Sequence, residues 1–550
     1  MLFDDIVKEI GGFGRYQKLL IMLVMFQQIL ISMQALFPVF FLSRHDHRCM
    51  AKMENSIFKR ENISSSEYES IAHIKLNASQ CSIQAFVNST NTTKMYPCTS
   101  WTFDESELSR SPISDFNLVC DDAVLKEHAS MAFMGGNLVG SLILGFVGDR
   151  WGRKIVMYLG AVLLFLSSLV SAWSVDFIMF IILRFLAGLA TVTCISSALI
   201  IAFEIVDPGH RSHVAVIVDL SWCVGEMLLT GAAYFLRDWR HFQIAVSSPG
   251  IILFLYWFFM PESARWLIAN GRSEEALAIL TRASRINKKR IQIDISKIKL
   301  DHQKVRNEVM PVFTSCRLLF RFAMVLFLWF VLALTYYGLT YNVGQISHKI
   351  YFDFLIYAVL EMVAYVTCLY VNTRFGRKPL NIGAFFFSGI ACLSSTLVSL
   401  YADRGLGWLV IVLSAVGRMT ISAVFTNVFI YTGELFPTTI RSFILASVGI
   451  AARMGAVFAP YIAASGSNGE VSSASLIFGV LSLAGGLVSC LLPETVNTCL
   501  PDKMADIKSG HLHYKHSPIR SQDIGPKTEE SIDGTIEDKR RDISSTVATI

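Results

Sequence analysis

Charge is what this chain is short of. Only 17% of its 550 residues are Asp, Glu, Lys or Arg, against about a quarter in soluble proteins, and 53% are hydrophobic. So little surface-forming material excludes the three or four soluble domains that the length would suggest. The phosphate loop Gly-x-x-x-x-Gly-Lys-Ser/Thr is missing, which disfavours an ATP-driven pump. No His-Glu-x-x-His pair and no Gly-x-Ser-x-Gly elbow occurs, and histidine is scarce in the apolar runs. An intramembrane enzyme is thereby disfavoured, and neither a cofactor nor a metal is expected. The net charge of +5 is modest and gives no reason to expect nucleic acid. What remains is rich in Phe (39) and Met (19), with a mean hydropathy of +0.49. These are the marks of a polytopic membrane protein.

About 20 consecutive, mostly apolar residues cross the hydrocarbon core as a helix, and lipid offers no partner to an open strand edge. Twelve such runs are predicted: 19–42, 129–147, 155–175, 177–203, 214–236, 242–260, 322–346, 354–371, 380–401, 408–432, 442–467 and 471–492. The fold class is therefore an all-α membrane protein. The first run is too long for the apolar core of a cleaved signal and no small-residue site follows it.

The polar segment 43–128 holds Cys49, Cys81, Cys98 and Cys120, an even set that allows two disulfides in any of three pairings. It also holds four glycosylation sequons, at Asn62, Asn77, Asn88 and Asn91. Together they predict an oxidising, extracellular face, with a solvated loop and chance sequons as the plainer alternative. Both termini (1–18 and 493–550) and the central loop 261–321 then fall in the cytoplasm, at the plasma membrane. The loops expected inside carry Arg150, Arg153, Lys154, Arg211, Arg374, Arg377, Lys378 and Arg441, more than Arg237, Arg240, Lys349 and Arg404 outside. That bias has the expected sign. The Lys288-Lys289-Arg290 run reads as a solvated face. The tail is expected to be disordered, and His511, His513 and His516 within it read as polar tail before they read as metal ligands.

Two short sequences recur six spans apart. Gly148-Asp149-Arg150-Trp151-Gly152-Arg153-Lys154 follows the second run, and Asn372-Thr373-Arg374-Phe375-Gly376-Arg377-Lys378 follows the eighth. Glu204 precedes Arg211-Ser212 by seven residues after the fourth run, as Glu434 precedes Arg441-Ser442 after the tenth. The chain thus reads as two parallel six-helix halves. The arginines suit a latch, since a guanidinium pairs with a carboxylate or a helix C-terminus on a neighbour, and such contacts bias a two-state rocking motion. The simpler reading is that they only fix topology. Thr373 stands where the first copy has Asp149, so the second half is expected to latch differently.

At this point the sequence resembles a known family. Gly145-Phe146-Val147-Gly148-Asp149-Arg150-Trp151-Gly152-Arg153-Lys154 is similar to the signature loop of the major facilitator superfamily. Pro261-Glu262-Ser263-Ala264-Arg265-Trp266-Leu267, Glu434-Leu435-Phe436-Pro437-Thr438, Pro493-Glu494-Thr495 and the opening Gly11-Gly12-Phe13-Gly14-Arg15-Tyr16-Gln17 resemble its organic ion transporters. The likeness runs from about residue 3 to 505. It implies a secondary transporter working by alternating access, with one site between the halves. Its expected partners are a small organic ion as substrate, membrane lipid, and a coupled ion or counter-substrate. A receptor or scaffold that has lost transport is a second class, opposed by the intact repeat loops.

Six charges fall inside the runs: Arg184, Asp219, Glu226, Glu361, Arg418 and Arg453. An ionised group near the bilayer centre costs at least about 2.5–3.5 kcal/mol, so each needs a partner or a wet cavity. Arg184 and Arg418 hold corresponding places in the two halves, which suggests related structural or gating roles. Glu226 and Asp219 lie two turns apart on one face, and either could pair with an Arg across the interior. Arg453, set among Ala451, Ala452 and Gly455, would bind a carboxylate or sulfate bidentately if no Glu neutralises it. In the family, an Arg here resembles the organic anion and carnitine-type transporters, whereas the cation transporters carry an acid. Tyr365 stands where the anion transporters have a second basic residue. With Glu361 one turn away, a zwitterion could place its carboxylate on Arg453 and its ammonium over the ring. Tyr336, Tyr337, Phe425 and Trp222 resemble the family's substrate site, and aromatic walls suit flat solutes. Organic anions lead as substrate, partly because Trp239-Arg240-His241-Phe242-Gln243 is similar to anion-type members. Zwitterions and cations follow.

Overall fold

Pro38 sets where the first long helix breaks. It has no N–H for the carbonyl of Gln34, four residues back, so α1 (Arg15–Phe41) is interrupted at Leu36. Arg184 donates to that freed carbonyl at 3.0 Å and lies over the rings of Phe37 and Phe133. One nitrogen of a buried guanidinium thus satisfies the carbonyl that the helix break frees.

The computed structural model describes residues 3–43, 45–49, 75–78, 81–87, 92–98, 100–289, 313, 315–346, 349–401, 406–436, 440–465 and 473–495. It resolves into two compact units, and the second (497–499 with 512–550) lies outside these residues. So do the sequons at Asn62, Asn88 and Asn91, and most of the tail expected to be disordered.

The other long helices are α2 (Leu125–Trp151), α3 (Arg153–Ser171), α4 (Phe177–Ile205), α5 (Arg211–Phe235), α6 (Trp239–Phe259), α7 (Cys316–Ile346), α8 (Ile350–Arg374), α9 (Arg377–Tyr401), α10 (Gly407–Leu435), α11 (Arg441–Ala464) and α12 (Ser473–Leu491). Among the described residues, eleven helices are long and apolar enough to cross a membrane, and α2 takes the remaining place. Several helices outrun the apolar run that predicted them, because a polar terminus adds backbone hydrogen bonds wherever it reaches water. In α6 the Ser248–Leu255 stretch is 3₁₀ rather than α, where Pro249 removes a donor.

Packing repeats the sequence repeat. In the first half α1 packs on α4 and α5, and α4 packs on α2 and α3; in the second, α7 packs on α10 and α11, and α10 on α8 and α9. The halves meet through α2 against α11 and α5 against α8.

The segment between α1 and α2 carries two small antiparallel sheets. β1 (His47–Cys49) pairs with β5 (Trp101–Phe103), and β3 (Ser82–Val87) pairs with β2 (Lys75–Ala78) and β4 (Thr92–Pro97). Asn77 lies in β2. Of the three pairings the sequence left open, the structure makes Cys49–Cys98 and Cys81–Cys120. Asp115 anchors the segment, accepting from Arg110 at 2.6 Å, Arg240 at 3.1 Å and the indole of Trp239 at 3.1 Å. That bond raises the Arg110 guanidinium above its ordinary pKa. Arg240 also donates to the carbonyls of Ala172 and Ser174 that end α3.

Candidate functional site

The repeat loops shape each half from within. Gly152 and Gly376 sit at φ +99° and +98°, the left-handed region that glycine tolerates. Each turn aims the start of the next helix at a carboxylate. The N–H groups of Arg153 and Lys154, opening α3, donate to Glu262 Oε1 at 2.9 and 3.1 Å. Those of Arg377 and Lys378, opening α9, donate to Glu494 at 3.3 and 3.1 Å. Two carboxylates therefore cap two helix N-termini. The neighbouring hydroxyls complete the correspondence: Ser263 donates to Glu204 and Thr495 to Glu434, the latter at 2.6 Å. Arg377 also meets Glu434 at 3.0 Å. These contacts tie together helices of one half. The side chains of Asp149 and Thr373 lie outside the description, as does any difference between the two latches that they set.

The remaining cationic residues expected at the loops have assorted partners. Arg211 donates to the carbonyl of Phe203 at 3.0 Å and to Asp4 at 3.0 Å. Asp4 also accepts from Arg265, so the helix Phe3–Glu9 is held beneath the first half. Lys154 lies over the Trp257 ring and Arg374 over that of Tyr370. Arg150 is exposed, and Arg441 is half-buried at the start of α11.

In the interior, Arg418 of α10 reaches between the halves. Its Nη2 lies 2.5 Å from Glu226 Oε1 on α5 and 2.6 Å from Glu361 Oε2 on α8, and all three side chains are almost fully buried. The Tyr336 and Tyr365 hydroxyls donate to Glu361 Oε1 at 2.9 and 2.7 Å. The indole of Trp222 donates to Tyr336 at 3.0 Å and to Glu226 at 3.2 Å. Corresponding positions thus carry unlike chemistry: Arg184 rests on a carbonyl and two rings, Arg418 on two carboxylates.

Two cavities lie beside this network, between the halves. One of about 140 Å³ is lined by Gln28, Asn137, Trp222, Tyr337, Phe425 and Arg453 among others. The second, of about 340 Å³, shares Phe425 and Arg453, includes Asp219, and reaches Phe203, Ala215 and Leu445 near the α4–α5 and α10–α11 turns. Arg453 donates to the carbonyl of Gly449 on its own helix at 2.8 Å, and among the described residues no carboxylate lies within ion-pair distance. Asp219 accepts from Thr426 at 2.8 Å.

Of the residues expected at the substrate, the structure brings Arg453, Tyr337, Phe425 and Trp222 to a cavity wall. Glu226, Glu361, Tyr336 and Tyr365 stand behind that wall, their polar atoms turned to Arg418 and one another. Burial within a closed network, rather than identity, separates the two groups. Asp219 was legible only as a charge inside a span, and its place on the wall was not. On the disulfide face the halves meet through rings: Phe40 on Tyr351 and Phe354, Tyr234 on Tyr351, and His128 on Tyr461.

A twelve-helix molecule in two repeated halves, with two largely apolar cavities between them that share one arginine, defines a transporter of the major facilitator class. The family model described as "Sugar (and other) transporter" matches residues 75–502. Solved structures of the Escherichia coli xylose transporter share this fold, one at a TM-score of 0.59 and 17% identity, covering 87% of this chain and 99% of that one. The organic cation transporter protein of Drosophila melanogaster is 31% identical over 92% of this chain and 94% of its own length. Human solute carrier family 22 member 13 is 30% identical over 92% and 93%, and mouse member 6 is 28% identical over 92% and 94%. The chain belongs to the organic ion transporter family of the major facilitator superfamily. It is a multi-pass membrane protein that moves organic ions, and its relatives are transporters, not enzymes.

Proposed function

We propose that the protein carries small organic anions across the plasma membrane by alternating access, with both termini in the cytoplasm. The observation that carries this reading is the state of Arg453. The two glutamates of the interior are engaged by Arg418, which leaves the Arg453 guanidinium as the cation on both cavity walls. A carboxylate or sulfonate entering there gains a charge-assisted, two-pronged partner, and Trp222, Tyr337 and Phe425 offer faces to an aromatic body. The cavity's reach toward the α4–α5 turn, with aromatic contacts joining the halves on the disulfide face, supports a state open to the cytoplasm. Rigid halves, each stapled by its own Glu262- or Glu494-type cap, suit a rocking exchange of access.

A second reading follows from Asp219. It lines the larger cavity with Arg453, so a zwitterion could set its carboxylate on one and its ammonium near the other.

Uptake of radiolabelled benzoate, carnitine and tetraethylammonium by cells expressing wild type or Arg453→Ala tests both readings. Benzoate uptake lost on substitution supports the anion reading. Carnitine uptake alone, lost in the same variant, supports the second. Tetraethylammonium uptake that survives it refutes both.

A further inference from the structure

The interior network has an odd charge count. Glu226 and Glu361 both touch a single nitrogen of one guanidinium, at full burial, so two carboxylates face one cation. Their hydrogen bonds are unequal. Glu361 accepts from Arg418, Tyr336 and Tyr365, with both oxygens engaged. Glu226 accepts on Oε1 from Arg418 and Trp222, while its buried Oε2 has no hydrogen-bond partner. An ionised oxygen without a donor, away from water, is costly, and a proton on that carboxyl removes both the orphan charge and the excess.

We propose that Glu226 is a proton-binding site of the transport cycle, with the proton as coupled ion. The step needs one movement: when Trp222, which lines the smaller cavity and donates to Glu226, turns aside, Glu226 takes H⁺ from the cavity to become a neutral acid, then returns it as carboxylate on the other side. Glu361 stays ionised as the counter-charge of Arg418.

The groups facing Glu226 fit this role. On its own helix are Trp222 and Cys223, with Asp219 two turns away; α7 brings Tyr336 and Tyr337, α8 brings Glu361, and α10 brings Arg418. Arg418 is the cation among them. Trp222 links the site to substrate, because it lines the smaller cavity and donates to Glu226. A solute that draws the indole away removes one of two donors from the carboxylate. Protonation then becomes easier, so substrate and proton move together. The inference rests on the protein being a transporter, but not on the sign of its substrate.

The test uses the full chain in lipid nanodiscs. Infrared difference spectra, wild type minus variant, at neutral pH should show the carbonyl stretch of a buried protonated carboxylic acid lost in Glu226→Gln, with that component retained in Glu361→Gln and Asp219→Asn. Glu226→Asp, which keeps the acid, should show a shifted band and so separates loss of the proton from loss of the fold. A Glu226→Gln spectrum that matches wild type in this region, or no such band in wild type, overturns the proposal even if no substrate has been found. In liposomes loaded with a pH dye, the substrate that passes the uptake panel should acidify the lumen with wild type. That acidification should be lost with Glu226→Gln; a substrate that enters without it overturns the coupling.

Discussion

Glu226 and Glu361, carried by helices of opposite halves, converge on Nη2 of Arg418 at 2.5 and 2.6 Å. The interface between the halves is therefore held at its centre by charge. Removing one partner of such a buried group is expensive, because the others stay buried and uncompensated.

Arg418→Leu should accordingly destabilise the protein by about 3–5 kcal/mol. Thermal unfolding in detergent, followed by monodispersity on size exclusion, measures it. Adding Glu226→Gln and Glu361→Gln to the same chain should recover much of the loss, since no uncompensated charge then remains in this network. A triple variant no more stable than the single one would show that packing, not charge, holds this place.

Glu262 and Glu494 should behave as a matched pair. Each caps the first turn of a helix, and replacing either by Ala should cost about 1–2 kcal/mol, the range for a lost N-terminal cap with its dipole contribution. Gly152→Ala should cost more than a helix-surface change, because the residue sits at positive φ and its Cβ would meet the Glu262 carboxylate. Melting curves of the three variants provide the comparison.

Arg453→Ala should leave the melting temperature close to wild type, in contrast to Arg418. Its hydrogen bond runs to a carbonyl of its own helix, so truncation strands no carboxylate. A large fall in stability would contradict its reading as a substrate group.

Asp219→Asn distinguishes the two substrate readings. An anion pays nothing for losing this carboxylate, so benzoate uptake should be kept or raised, whereas a zwitterion's ammonium loses its partner and carnitine uptake should fall about tenfold for each 1.4 kcal/mol forfeited. Concentration dependence of uptake in wild type and Asp219→Asn reads this out.

Asp115→Ala should loosen the segment between α1 and α2. Arg110, Arg240 and Trp239 would all lose one acceptor, and bonds to a charged group are worth roughly 1.5–3 kcal/mol each. Faster proteolysis of the segment in intact cells, with the disulfides still formed, is the expected result.

Much of the architecture was legible in the sequence because its signals are local. A run of apolar residues must become a helix in lipid, and a repeated loop at a fixed offset must reflect a repeated half. Pro261-Glu262-Ser263 and Pro493-Glu494-Thr495 were each visible as motifs, yet their shared task was not. Capping needs a partner helix start far away in the chain, and no spacing rule carries that.

The sequence determined the number of spans, the two-half repeat, an even set of cysteines in one segment and the inventory of intramembrane charges, but not which cysteines pair. Tertiary structure decided how those charges are shared. Arg418, Arg184 and Arg453 are the same residue type in similar apolar surroundings along the chain. Which one meets two carboxylates, which rests on a carbonyl freed by Pro38, and which faces a cavity depends on neighbours from other helices. Charge interactions in a low-dielectric interior act through space at a few ångströms, so only the packed fold could assign them.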